Sequence, residues 1–143
     1  MALFTWDESC SVNVPEFDRH HQHLYCLVNS LHDAMTRGQA RSALAPILDE
    51  LISYTKSHFL AEEAFMLARA YPGLAAHKAE HAALTSQVLE FRERFSEGKA
   101  PITLELMHFL RDWLINHIQR SDKLYGGLNA TRPGSPGTVG LRQ

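Results

Sequence analysis

Apolar residues recur every three or four positions along four long stretches of the chain. That spacing places the apolar side chains of each stretch on one face of an α-helix. It predicts four amphipathic helices, over about residues 16–36, 42–68, 74–96 and 101–125. Turn-forming residues separate them, at Gly38, Tyr71-Pro72-Gly73 and Gly98. Short connections between long helices favour an all-α fold, an antiparallel, up-down-up-down four-helix bundle.

Several boundary residues refine this prediction. We expect Ser42 to cap the second helix and Pro101 to open the fourth, because these residue types are favoured at helix starts. We expect Gly126-Gly127 to end the fourth helix near Tyr125. The inward apolar residues of that helix are expected to be Ile102, Leu106, Phe109 and Trp113.

The two ends of the chain differ from the helical part. Residues 1–16 read as an extended N-terminal arm, since Pro15 discourages helix just before it. Phe4 and Trp6 are expected to pack over the bundle. Residues 128–143 are rich in Gly, Pro, Ser, Thr and Arg, which predicts a flexible C-terminal tail. We therefore predict a helical domain over 1–127 and a tail over 128–143.

Seven polar residues interrupt the inward stripes at positions where the helical spacing calls for apolar side chains. They are His21, His58, Glu62, His77, His81, His117 and Asp122. Residues four apart share a helix face, which suits His58 with Glu62 and His77 with His81. His117 and Asp122 are five apart, roughly 140° off on an ideal α-helix. They would need a frayed helix end or a local π-helical turn to point the same way.

A buried carboxylate is costly unless a cation compensates it, and no lysine or arginine lies on an inward stripe. The pattern therefore predicts a metal centre. Imidazole and carboxylate ligands suit iron, manganese, copper or zinc. Seven ligands are too many for one ion, so we predict two ions bridged by the two carboxylates. Five histidines divide three and two, which leaves one ion with a position free for a small molecule.

Composition limits the classes of partner. The net charge is -2 with histidine neutral, which gives no basic surface for nucleic acid or an anionic membrane. No apolar run reaches the roughly 20 residues of a membrane span. The start MALFTWDES lacks a basic stretch followed by an apolar one, so we expect no secretion signal, and Cys10 and Cys26 form no CxxC pair. We expect a cytoplasmic monomer with reduced thiols.

The segments FDRHHQHL, HFLAEEAFM, YPGLAAHKAEH and WLINHIQRSDKLY together resemble the hemerythrin family, specifically its single-domain bacterial members. The resemblance covers residues 4–125, and the order H, HxxxE, HxxxH, HxxxxD carries it. It implies a four-helix bundle that binds O₂ reversibly at a non-haem di-iron centre. The implied cofactors are two iron ions with a bridging oxo or hydroxo group.

By the same resemblance, the bridging carboxylates are Glu62 and Asp122. The coordinatively full iron is held by His77, His81 and His117, and the open iron, where O₂ binds, by His21 and His58. We expect an apolar wall around the O₂ pocket, since a dry pocket slows autoxidation. Its candidate residues are Leu24, Phe59, Trp113 and Ile118.

The other polar residues near the motifs are expected to lie at the surface or to support the ligands. The family usually has glutamine at position 20, where this chain has His20, so His20 and His23 make the first ligand ambiguous. His21 is favoured because it fits the apolar stripe. We expect Glu63 to point outward and Glu80 to be solvated, with an imidazole N–H as the alternative partner of Glu80. His32 and His108 are assigned to the surface.

The function favoured by the sequence is an oxygen carrier, store or delivery partner for oxygen-consuming enzymes, and not an enzyme. The alternatives are a di-iron enzyme, such as a peroxidase or a nitric-oxide-handling protein, an O₂ or redox sensor, and a structural metal bundle. Ferritin-like di-iron oxidases use Glu-x-x-His pairs and carboxylate-rich ligand sets, which this histidine-rich chain lacks. A structural bundle does not explain the uneven number of histidines.

Overall fold

The computed structural model describes residue 3 and residues 5–130, without the side chains of 128–130. Its helices are α1 (Pro15–Thr36), α2 (Arg41–Ala68), α3 (Leu74–Ser96), α4 (Leu104–Asn116) and α5 (Lys123–Ala130), and a π-helical turn, His117–Asp122, joins α4 to α5. α1 packs beside α2 and α4, and α2 packs beside α3. The predicted four-helix bundle is confirmed, with α4, the π-helical turn and α5 as its fourth rod. Within the described ranges there is no β-strand, and no helix is both long and apolar enough to cross a membrane.

The first helices bury apolar residues at the predicted helical spacing. Phe17, Leu24 and Leu31 are buried on α1, and Leu44 and Leu48 on α2. The predicted cap at Ser42 is wrong, because α2 begins at Arg41 and its N-cap, Ala40, makes no side-chain capping bond. The Arg41 guanidinium instead donates to the carbonyls of Phe95 and Ser96, which ties the start of α2 to the end of α3.

The fourth helix begins later than predicted. Pro101 lies in the connection, and the hydroxyl of Thr103 accepts a hydrogen bond of 3.1 Å from the N–H of Leu106. A threonine in this role satisfies one of the N–H groups that a helix start leaves unpaired, which places the start of α4 at Leu104.

The inward face of α4 is also shifted by one position from the prediction. Met107, Leu110 and Leu114 are at most 7 % exposed, whereas Phe109 is 42 % exposed. Leu106 and Trp113 are half-buried. The N–H of His117 bonds the carbonyl of Trp113, four residues back, so α4 is α-helical up to His117. The prediction stepped back four residues from His117 to Trp113, whereas the structure buries Leu114, three residues back; both steps fit one face of an α-helix.

The prediction that Gly126-Gly127 ends the helix is wrong, because α5 continues through both residues to Ala130. Gly126 is buried against the N-terminal arm, where a Cβ atom would lie 2.0 Å from the carbonyl oxygen of Val12. A glycine is therefore required here for close backbone approach rather than for a turn.

The N-terminal arm packs on the bundle, as predicted for Trp6. The Trp6 ring meets that of Tyr25 edge-on at 5.9 Å, and Val12 and Val14 are buried. The arm is not extended throughout, because Glu8–Cys10 forms a 3₁₀ turn. Asp7 caps this turn by accepting a hydrogen bond from the N–H of Ser9. Phe4 and the predicted tail beyond residue 130 lie outside the described residues.

Candidate metal centre

The structure brings all seven sequence-predicted side chains together inside the bundle. Each is at most 5 % exposed. They come from all four rods: one from α1, two from α2, two from α3 and two from the π-helical turn. The apolar stripes fix the rotation of each helix, and the polar residues point inward because they occupy stripe positions.

The π-helical turn solves the problem of the i+5 pair. The N–H of Lys123 donates to the carbonyl of Ile118, five residues back, as in a π-helix. The extra residue in the turn places Asp122 under His117, and Nε2 of His117 lies 3.0 Å from Oδ1 of Asp122. One of the two explanations that the sequence left open for this pair is thus the observed one.

The donor atoms form two overlapping groups, and in each group all donor atoms lie within 4.8 Å of one another. One group contains three histidines, hereafter the three-histidine group: His77, His81 and His117. The other contains two, hereafter the two-histidine group: His21 and His58. Glu62 and Asp122 belong to both groups.

Each carboxylate divides its oxygens between the two groups. Oε1 of Glu62 lies 3.2 Å from Nε2 of His81, and Oε2 of Glu62 lies 3.0 Å from Nε2 of His58. Oδ1 of Asp122 lies 2.8 Å from Nε2 of His77, and Oδ2 of Asp122 lies 3.1 Å from Nε2 of His21. This is the arrangement of two carboxylates that can each bridge a pair of cations.

Several donor atoms of the site lack the partners that burial demands. Oε1 of Glu62, Nε2 of His77 and both side-chain oxygens of Asp122 are buried close to other atoms of the site, but none of these contacts has the geometry of a hydrogen bond among the described residues. Buried polar atoms of this kind are rare because leaving them unpaired costs free energy. Cations between the two groups would satisfy all of them. The donor set of imidazoles and carboxylates fits iron.

Charge within the metal-free site is balanced by protons. Burial lowers the pKa of His21 and of His77, but the Asp122 and Glu62 carboxylates outweigh it and raise the pKa of each histidine to about 9. Burial raises the pKa of Asp122, yet the neighbouring histidines bring it down to about 2. The pKa of Glu62 is likewise held well below its usual range by His58 and other histidines, against the effect of burial. Metal binding would displace the protons from these imidazoles.

Two carboxylates hold the outer ring nitrogens of two members of the three-histidine group, His81 and His117. Oε2 of Glu63 lies 2.8 Å from Nδ1 of His81, and Oε1 of Glu80 lies 2.7 Å from Nδ1 of His117. Such carboxylate–histidine pairs fix the tautomer and orientation of a metal ligand and raise its basicity. The prediction that Glu63 points outward is therefore wrong. Glu80 is partly solvated, as expected, but it also makes the alternative imidazole contact.

The neighbours of His21 on α1 do not enter the centre. Nδ1 of His20 lies 2.8 Å from Nδ1 of His58, behind the two-histidine group. Burial, and then the nearby His58, lowers the pKa of His20. His23 is exposed and packs on the ring of Tyr54, at 4.4 Å between centroids. Of the three histidines, only His21 has a ring nitrogen among the converging donors.

Sequence reasoning missed Tyr125. Its side chain is fully buried, and its hydroxyl donates to Oε2 of Glu62. Burial and the nearby Glu62 and Asp122 carboxylates raise the pKa of Tyr125, so the hydroxyl stays protonated. The signal was its spacing: Tyr125 is three residues after Asp122 and so shares its helix face.

Aromatic rings cover the three-histidine group. Phe59 stacks on His81 at 3.7 Å with an angle of 2° between the planes, and Trp113 stacks on His117 at 4.5 Å and 16°. Leu24 and Ile118 are each 1 % exposed in the core. These four residues were predicted to wall an O₂ pocket, and that assignment stays a prediction.

An apolar cavity of about 180 Å³ lies in the neighbouring half of the bundle. Its wall includes Thr55 and Leu84, which lie three residues before His58 and three after His81. Leu114, three residues before His117, is also part of the wall, whereas none of the four predicted pocket residues is. The cavity therefore ends about one helical turn from the centre.

Comparisons with known proteins agree with this geometry. Residues 12–128 match the family described as the Hemerythrin HHE cation binding domain. The chain is 41% identical over 127 residues to the bacteriohemerythrin of Methylococcus capsulatus, covering 88% of this chain and 96% of that protein. It is 38% identical over 125 residues to the bacteriohemerythrin of Stenotrophomonas maltophilia, covering 87% and 80%.

Solved structures extend the likeness to three dimensions. A crystal structure of a wild-type hemerythrin superimposes with a TM-score of 0.85 at 40% identity, covering 88% of this chain and 97% of that one. A family model that spans most of the chain, relatives of this similarity and a shared fold point to one conclusion. The chain belongs to the hemerythrin family.

Proposed function

We propose that this protein binds O₂ reversibly at a di-iron centre built from the three-histidine group, the two-histidine group, Glu62 and Asp122. The observation that carries the proposal is the way each carboxylate divides its two oxygens between the two groups. The related bacteriohemerythrins and a related myohemerythrin of Theromyzon tessulatum support O₂ as the ligand.

The uneven donor count supplies the place for O₂. The three-histidine group with the two carboxylates offers five protein donors, and the two-histidine group with the same carboxylates offers four. The position with four donors therefore has more room for an exogenous ligand. We assign a solvent-derived oxo or hydroxo bridge to the space between the two ions. Iron would supply the electrons that hold O₂ and return on its release.

The surrounding residues keep the centre in place and dry. The Tyr125 hydroxyl holds one oxygen of Glu62, while Glu63 and Glu80 orient two of the histidines. Phe59 and Trp113 cover the imidazoles with apolar surface. Excluding water in this way limits autoxidation, in which bound O₂ leaves the centre as a reduced species.

The physiological role that we propose is storage, transport or delivery of O₂ to oxygen-consuming enzymes. In this proposal the protein acts as a monomer in the cytoplasm and is not itself an enzyme. The side chains that converge at the centre are all accounted for as metal ligands or their hydrogen-bond partners, which supports binding rather than turnover.

Reversible oxygenation tests the proposal. The anaerobic ferrous protein should be colourless, air should produce a charge-transfer band, and argon should remove it over repeated cycles. A band that appears once and cannot be reversed would favour the di-iron enzyme instead.

Iron content tests the ligands separately. Glu62→Ala should lower the iron bound per chain, whereas Glu90→Ala, on the exposed face of α3, should not. Two irons per chain in both variants would contradict the assignment of Glu62 as a bridging ligand.

A further inference from the structure

A histidine lies directly behind one ligand of the open metal position. Nδ1 of His20 is 2.8 Å from Nδ1 of His58, and Nε2 of His20 is 3.8 Å from Oε2 of Glu16. The His20 side chain is 22 % exposed, so it links the buried site to the surface of α1. The other ligand of the two-histidine group, His21, has no partner for Nδ1 among the described residues. Among the described residues, His20 is thus the side chain that orients a ligand of this group, His58.

The contact between two ring nitrogens fixes the tautomer of both rings. Nε2 of His58 faces the centre, 3.0 Å from Glu62, and must lack a proton when a cation is bound. The proton of a neutral His58 then sits on Nδ1, which donates to His20. Nδ1 of His20 must accept, so in the metal-bound protein His20 is neutral and carries its proton on Nε2, toward Glu16.

The three-histidine group is held differently. His81 and His117 donate to the carboxylates of Glu63 and Glu80, which are acceptors with a formal charge. A charged acceptor increases the basicity of the imidazole, and hence its strength as a ligand, more than a neutral acceptor does. The two halves of the centre therefore differ in the partners of their ligands as well as in ligand number.

We propose that His20 is a positioning residue, which fixes the orientation and tautomer of His58 by offering it a neutral acceptor. His20 thereby sets a weaker affinity for the second metal ion, the one held by the two-histidine group. The proposal rests on the proposed function, because it requires two metal positions. It assigns to His20 a role that neither His21 nor His23 can take, since His23 packs on Tyr54 instead.

Cobalt(II) titration of the metal-free full chain under argon tests this without any oxygen-binding measurement. The wild type should take up two ions with unequal affinities, seen in the d–d absorption. His20→Leu should weaken only the second ion, by about 10- to 100-fold, the usual effect of losing such a partner. His20→Gln offers a neutral oxygen acceptor and should restore the second affinity and its d–d bands. His20→Glu, with a charged acceptor, should strengthen the second ion.

The matched control is His23→Gln, which removes a histidine from the same helix without touching a ligand and should bind cobalt like the wild type. Circular dichroism of each metal-free variant verifies the fold. Unchanged binding of the second ion by His20→Leu would overturn the proposal, as would an equal loss in His20→Gln. A wild type that binds only one ion would overturn the two-metal centre itself, and this role of His20 with it.

Discussion

Two adjacent glycines in α5 should differ in their response to replacement by alanine. Gly126 is buried, and a Cβ there would lie 2.0 Å from the carbonyl oxygen of Val12 and 2.9 Å from its carbonyl carbon. Gly127 is exposed, and a Cβ there meets nothing within 4 Å. Neither glycine has a positive φ, so alanine fits the backbone conformation of both.

The gain in helix propensity is common to both positions, whereas the steric clash with Val12 occurs at Gly126. Replacing glycine by alanine inside a helix stabilises it by roughly 1 kcal/mol, and this gain applies to both. At Gly126 the new methyl group falls far inside the contact distance of about 3.5–4.0 Å between heavy atoms. Val12 has little freedom to retreat, because its N–H donates to Asp18 at 2.8 Å and it is 1 % exposed. Overpacking of this kind costs about 1–3 kcal/mol.

Urea unfolding of both variants, followed by circular dichroism, measures the difference. Gly127→Ala should raise the free energy of unfolding by up to about 1 kcal/mol relative to the wild type. The free energy of unfolding of Gly126→Ala should be about 1–3 kcal/mol lower than that of Gly127→Ala. The difference isolates the contact with Val12, since the helix term cancels. Equal stabilities, or a more stable Gly126→Ala, would refute the close approach of α5 to the arm.

Three further predictions concern the centre. Tyr125→Phe removes the donor to Glu62 and should lower the free energy of unfolding by about 1.5–3 kcal/mol, the range for a hydrogen bond to a charged group; wild-type stability in urea would contradict this. Removing iron with a chelator should lower the melting temperature, because metal bound to the folded state adds to stability, and an unchanged melting temperature would argue against a metal that binds the folded protein preferentially. In the metal-free protein the pKa values of His21 and His77, about 9 against an ordinary 6.5, favour folding below pH 6.5. That stabilisation should be lost between pH 6.5 and 9 as the folded state gives up its extra protons. Metal-bound histidines are neutral, so the metal-bound protein should not show this loss. The same pH dependence of the free energy of unfolding in urea for both forms would contradict the assignment.

Most of the fold could be predicted because burial imposes a period on the sequence. α3 has the bounds expected from its stripe, and α1 begins one residue before the expected start. The errors cluster in the fourth rod, where other rules compete. A threonine cap moved the start of α4, and burial of Leu114 in place of Trp113 shifted its inward face by one position. Gly126, which normally signals a helix end, is instead required by contact with a distant residue.

The converging donors could be predicted because each replaces an apolar residue on a stripe. Their supporting residues could not, because their roles depend on the neighbouring helix. Glu63 was expected to point outward from α2, but its partner is His81 on α3. His20 likewise reaches across from α1 to His58 on α2. The periodicity of one helix does not indicate which side chain of the neighbouring helix contacts it.

The central claim is that two metal ions lie between the three-histidine and two-histidine groups, bridged by Glu62 and Asp122. Anomalous diffraction at the iron edge, from crystals of the iron-loaded protein, tests it most directly. We predict two anomalous peaks inside the bundle, one beside each histidine group, with an oxygen of each carboxylate toward each peak. A single peak, or peaks away from these carboxylates, would contradict the account.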